Sequence, residues 1–228
     1  CIQHITYDEF LPLLLGQDAL PDYEGYESDI DPSISQLFST AAFRVGHTLL
    51  SPQFSLLDED GNRTGEGEIA LRDAFFQSAD QLNNDFMDSL LRGLATDKAQ
   101  DVDNMVIDDV RQFLVGEGFG TLGFDLPALN IQRGRDHGLP LYNDAREAMG
   151  LERQHSFADI TDDPDVQAKL ASVYHSVDQI DPWVGGLAED PKDGALVGEF
   201  FYEVILDQFV RSRDGDRFFT KAVSTMRP

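Results

Sequence analysis

The chain has 228 residues, a hydrophobic fraction of 41% and sixteen Phe, ample material for the core of one domain or part of a larger one. Lys and Arg total 17 against 42 Asp and Glu, a formal charge of −25 that repels nucleic acid and anionic membranes and bears on solubility rather than fold. The single cysteine, Cys1, excludes an internal disulfide and any zinc site built from several thiolates. The longest apolar stretch, 195–210, is interrupted by Glu199, Glu203 and Asp207, so a membrane span is not expected. With neither an initiator Met nor a basic-then-apolar leader at Cys1, the chain is expected to be trimmed at its start.

Taken in order, the elements are mostly helical. Thr6-Tyr7-Asp8-Glu9 has the form of a capping box, opening a short helix that Pro12 limits or kinks. Asp31-Pro32 reads as an N-cap and first-turn pair, starting a strong helix from Ser33 to about Leu50 that Ser51-Pro52 stops. Short strands are expected at Phe54 to Asp58 and Gly67 to Leu71, around an Asp60-Gly61 turn. Helices follow at Phe86 to Leu94 and Val102 to Val115, then a Gly-rich stretch from Gly116 to Gly123. Further helices are predicted from Leu141 to Met149 with Gly150 beyond its end, from Asp163-Pro164 to about Val177, and from Ala195 to Arg211. In the last, Leu196, Val197, Phe200, Val204, Leu206 and Phe209 are too many for one narrow stripe, so much of its surface should be buried.

Two tracts stand out. Residues 128–140, Ala-Leu-Asn-Ile-Gln-Arg-Gly-Arg-Asp-His-Gly-Leu-Pro, crowd two arginines, an aspartate and a histidine between apolar flanks. On the residues alone this is a polar loop with Arg135 and Asp136 paired at the surface. Residues 43–49, Phe-Arg-Val-Gly-His-Thr-Leu, place His47 on the helical face of Phe43, with Gly46 leaving room for a flat ligand. By itself His47 reads as a core histidine hydrogen-bonded to a carbonyl. Three weaker signals fail. Gly116 to Gly120 lacks the strand and helix of a phosphate loop, Asp58 to Asn62 lacks the Gly and Glu of a calcium loop, and Asp214-Gly215-Asp216 suits a helix-ending turn.

Five segments in order resemble the animal haem peroxidase family, which includes myeloperoxidase, lactoperoxidase and peroxidasin: 5–12, 42–49, 125–140, 181–186 and 213–218. The third is nearly diagnostic, and the resemblance covers essentially the whole chain. It implies a mainly α fold of that family, with a small β element after the proximal helix, the chain 1–228 forming the proximal part of the catalytic domain.

Carried over residue by residue, His47 matches the axial ligand of the haem iron, Asn130 the residue that bonds and orients that imidazole, and Arg44 and Arg133 the arginines beside the haem edge and propionates. The chemistry is coherent: an imidazole ligand needs an oriented partner on its far nitrogen, and a guanidinium fork suits a carboxylate. The family's distal histidine, distal arginine, covalent-link glutamate and calcium loop precede the first matched segment. His4, His137, His155 and His175 do not fit the distal role, so the chain alone is expected to be an incomplete catalytic unit.

The implied cofactor is haem b or a covalently modified haem, with calcium possible in the intact domain at a site outside this chain. The implied partners are hydrogen peroxide and a small electron donor such as a halide or phenol. The residues themselves leave location open, the resemblance favours a secreted or extracellular one, and oligomeric state is left open. The rival readings are a haem fatty-acid dioxygenase of the same superfamily and a non-catalytic haem-binding or adhesion remnant.

Overall fold

The computed structural model describes residues 1–75, 83–113 and 125–220. In chain order it comprises α1 (Ile2–His4), a π-helical stretch (Ile5–Phe10), α2 (Leu11–Leu15), α3 (Gln36–Thr40) and a 3-10 segment (Ala42–His47). Strands β1 (Gln53–Leu57) and β2 (Arg63–Ala70) follow, then α4 (Leu71–Phe75), α5 (Asn84–Thr96) and a π-helical segment (Asp109–Phe113). The remainder is α6 (Leu126–Asp136), α7 (Tyr142–Ala148), α8 (Pro164–Val173), α9 (Pro182–Ala188) and α10 (Glu199–Asp214), with 3-10 turns at Phe157–Asp159 and Val177–Gln179. The mainly α expectation with one small β element therefore holds. The chain divides into two compact units, one of Cys1–Val45 with Asn130–Pro228, the other Gly46–Leu129.

In the first unit several expected boundaries move. Thr6 does not cap a helix, because the helical run already begins at Ile2. Pro12 is absorbed by the wider turn before it, in which the Leu11 N–H reaches the Thr6 carbonyl, and the run stops only at Gly16, whose φ of 105° suits glycine alone. The helix expected from Ser33 starts at Gln36, capped by Ser35 Oγ, which accepts from the Phe38 N–H at 3.1 Å. Asp31 instead closes a turn on the Ser33 N–H at 2.9 Å. That helix does not run on to Leu50: it breaks at Ala41 (φ −123°, ψ −74°) and tightens into 3-10 geometry.

Asp163 and Pro164 open α8 as expected, although it ends at Val173, and α10 begins at Glu199 and stops at Asp214-Gly215. Phe200, Phe201, Val204 and Ile205 of α10 are buried, as its composition demands. Helix α9, not anticipated, lies so close that a Cβ on Gly185 or Gly186 would come within 2.4 Å of the Tyr142 ring or 2.2 Å of the Phe201 ring. Under these helices Arg146 donates to Glu189 Oε1 at 2.5 Å and to Glu199 Oε2 at 2.7 Å. Glu189 also accepts from Tyr142 Oη at 2.6 Å and the Phe200 N–H at 2.7 Å, so both of its buried oxygens are satisfied.

In the second unit β1 and β2 pair antiparallel, with Phe54 opposite Ile69, Leu57 opposite Arg63 and an irregularity between Ser55 and Leu57. The Asp58-Asn62 stretch is the turn expected: Asp58 Oδ1 accepts from the Asp60 and Asn62 N–H groups at 3.0 and 2.8 Å. Helix α5 lies directly on β1, because a Cβ on Gly93 would stand 1.7 Å from the Ser55 carbonyl oxygen. Asp97, just past α5, accepts from Ser55 N–H and Oγ, both at 2.8 Å. The helix expected from Val102 is irregular until Asp109, where a π-helical turn begins, and the Gly116–Gly123 stretch lies outside the described residues.

Candidate haem site

Most of the 128–140 tract, residues 128–136, is helical rather than a polar loop. Asp125 Oδ1 accepts from the Ala128 N–H at 2.9 Å and starts α6. Its end is a Schellman pattern: Leu139 N–H bonds the Gly134 carbonyl, Gly138 N–H bonds that of Arg135, and Gly138 has φ 65°. Asp125 ahead of the tract, with Gly138 and Pro140 behind it, was the sequence signal for this helix, outweighed by the density of charge. Arg135 and Asp136 do not pair. Arg135 grips Asp181, and Asp136 accepts from Gln132 at 2.7 Å.

Within the first unit α6 brings three of the four sequence-derived site residues together. Asn130 is 1% exposed, and its Oδ1 accepts from Arg44 Nη1 at 2.5 Å. Arg44, half-buried, also donates from Nε to the Ser39 carbonyl at 3.3 Å. Burial and then the nearby positive charge of Arg133 hold Arg44 below the usual guanidinium range, so two like charges face one another here. Arg133 itself is exposed.

Among the described residues neither Arg44 nor Arg133 forms a salt bridge, whereas Arg72, Arg135, Arg146, Arg153, Arg211 and Arg213 each do. In a chain with 42 acidic residues, two neighbouring arginines with no salt bridge among the described residues have guanidinium forks suited to an anionic group. His47 is half-buried at the end of the 3-10 segment, three residues after Arg44; at three residues per turn the two share one face of that segment.

The remaining histidines sit elsewhere. His4 Nδ1 is 2.7 Å from Asp8, His137 Nδ1 is 2.6 Å from Gln36 Oε1, and His155 and His175 are exposed. Sequence reasoning missed Asp181 and Tyr174 as partners of Arg135, and Gln36 as the partner of His137.

Within the first unit, a buried amide and two neighbouring guanidiniums are a donor set whose chemistry suits the carboxylate edge of a haem. Among solved structures, peroxidase A from Dictyostelium discoideum superposes with a TM-score of 0.88 at 42% identity, covering 96% of this chain and 42% of that one. An Oryza sativa fatty acid alpha-dioxygenase superposes with a TM-score of 0.68 at 20% identity, over 85% of this chain and 34% of that one, a likeness of fold alone. The sequence matches the family model for animal haem peroxidase over residues 1–226. It is 42% identical to peroxinectin A of Dictyostelium discoideum over 96% of its own length and 40% of that protein's. The chain belongs to the animal haem peroxidase family. It spans about two fifths of the length of such relatives. No helix among the described residues is long and apolar enough to cross a membrane.

Proposed function

We propose that this chain carries the proximal side of a haem pocket in an enzyme that reduces hydrogen peroxide and oxidises a small donor such as a halide or phenol. The observation that carries this reading is the neighbouring Arg44 and Arg133, neither in a salt bridge among the described residues, with Arg44 bonded to buried Asn130 at 2.5 Å. His47 would hold the haem iron through its imidazole. Asn130, by its match to the family's motif, is the residue that would orient that imidazole. A neutral amide already engaged by a cation draws little on an imidazole N–H, so the imidazole would stay a modest electron donor. Arg44 and Arg133 receive the propionates. The haem, b-type or covalently modified, supplies the redox chemistry when bound.

The positions of His4, His137, His155 and His175 support placing the distal acid–base group in the part of the relatives' length that this chain does not span. Residues 1–228 alone should therefore bind haemin through His47 yet turn over little, a positioned proton-transfer group being worth about 10²–10⁴-fold.

The test compares the full-length protein with its His47→Ala and Arg133→Ala variants. His47→Ala should abolish the Soret shift on adding haemin. Arg133→Ala should speed haem loss while leaving the spin state of bound haem nearly unchanged. Guaiacol oxidation with peroxide is expected, in preference to oxygen uptake with linoleate. An unchanged Soret band in His47→Ala would remove the axial assignment, and unchanged haem retention in Arg133→Ala would remove the propionate role.

A further inference from the structure

We infer that Arg135 is a positioning residue whose grip on Asp181 sets the rotation of α6, and with it the presentation of Asn130 and Arg133; this rests on the haem reading above. Arg135 donates from Nε to Asp181 Oδ1 and from Nη2 to Oδ2, both at 2.8 Å, and Tyr174 Oη closes on Oδ2 at 3.0 Å. The Asp181 side chain is 4% exposed and that of Arg135 59%. Asp181 stands at the N-cap of α9, where an aspartate ordinarily caps its own helix, yet it makes no side-chain cap. Its carboxylate is turned to Arg135 and Tyr174 instead. Burial and that carboxylate push the Tyr174 phenol up to about 12, so it remains a donor throughout the neutral range.

The anchor is firm, because Gly185 and Gly186 hold α9 hard against the rings of Tyr142 and Phe201. Arg135 follows Asn130 by five residues, about 140° round the helix, so its fork resists rotation of the face that carries Asn130. His137, against Gln36 Oε1 at 2.6 Å, fastens the same end of α6 to α3, the helix that leads to Arg44. In Arg135→Gln an amide N–H can still donate to the buried Asp181 carboxylate beside Tyr174, so loss of the fork should be felt mainly in geometry.

The experiment uses the full-length protein loaded with haem. In Arg135→Gln the iron–histidine stretching band should shift and haem transfer to an apoglobin should quicken about 10-fold. The thermal midpoint should stay within a few degrees of wild type, and Arg135→Lys, which keeps the charge but loses the fork, should fall between. Arg153→Gln, which removes contacts to Asp144, Glu147 and Asp178, is the control that should leave the band in place. An unshifted band with unchanged transfer in Arg135→Gln would overturn the inference. If the wild-type protein fails to bind haem through His47, the haem reading falls, and amide exchange across 126–136 still decides whether Arg135 holds α6. Faster exchange in Arg135→Gln supports the clamp, and unchanged exchange removes it.

Discussion

At the scale of single residues, a heavily committed and buried side chain outside the candidate site is Arg146. It is 2% exposed and bonded to Glu189, Glu199 and the Glu152 carbonyl. Burial and the Glu189 carboxylate push the Tyr142 phenol far above its ordinary value, so it stays protonated and donates to that carboxylate. Removing one member of such a buried pair strands the other. Arg146→Met should lower unfolding stability by about 3–5 kcal/mol, read from urea melts, while Arg146→Met combined with Glu189→Leu should recover much of the loss. No recovery in the double variant would show that Arg146 stabilises mainly by other contacts, such as its bond to Glu152.

At the scale of elements, the second unit depends on how closely α5 approaches the hairpin. The contact is backbone against helix, because Gly93 has no side chain to hold them apart, and Asp97 then ties the helix end to Ser55. A single methyl cannot be accommodated without moving main chain. Gly93→Ala should therefore destabilise by about 1–3 kcal/mol despite alanine's better helix propensity, with faster amide exchange in 53–57 as the local signature. Unchanged exchange there would mean that α5 shifts at little cost. The neighbouring hairpin is itself legible from Asp60-Gly61, since its turn chemistry is local.

At the scale of the whole molecule, charge dominates. A net charge of −25 destabilises the compact state by self-repulsion, so raising NaCl from about 0.01 to about 0.5 M at pH 7 should raise the thermal midpoint by a few degrees. A flat or falling midpoint would show that local ion pairs outweigh the global repulsion. Acid acts in the opposite direction. Asp178 is held below the usual carboxylate value by Asn143 and Arg153, and Asp159 by the N–H groups of His155 and Ser156 and by the Ser156 side chain. Their contribution is present above the unfolded value of 3.8 and is lost as pH falls through the lower folded values. Asp178→Asn should flatten that part of the acid limb in a pH series of melts, and an unchanged limb would show that Asp178 does not contribute there.

The sequence by itself determined the family, because residues 125–140 and 42–49 carry side chains whose identity and spacing are dictated by chemistry rather than by packing. It also determined the elements whose signals are local: the Asp163-Pro164 start of α8, the end of α7 before Gly150, and the two-stranded hairpin. Tertiary structure decided the rest. The helix through Arg44 breaks at Ala41 because Ala41 and Ala42 are wholly buried, and packing overrides the propensity of the run. The partner of Arg135 is Asp181, 46 residues away, rather than adjacent Asp136. No local pattern can specify that choice, because the energy of an ion pair depends on distance and burial in space, and only the packing of α9 brings a buried carboxylate within reach of α6.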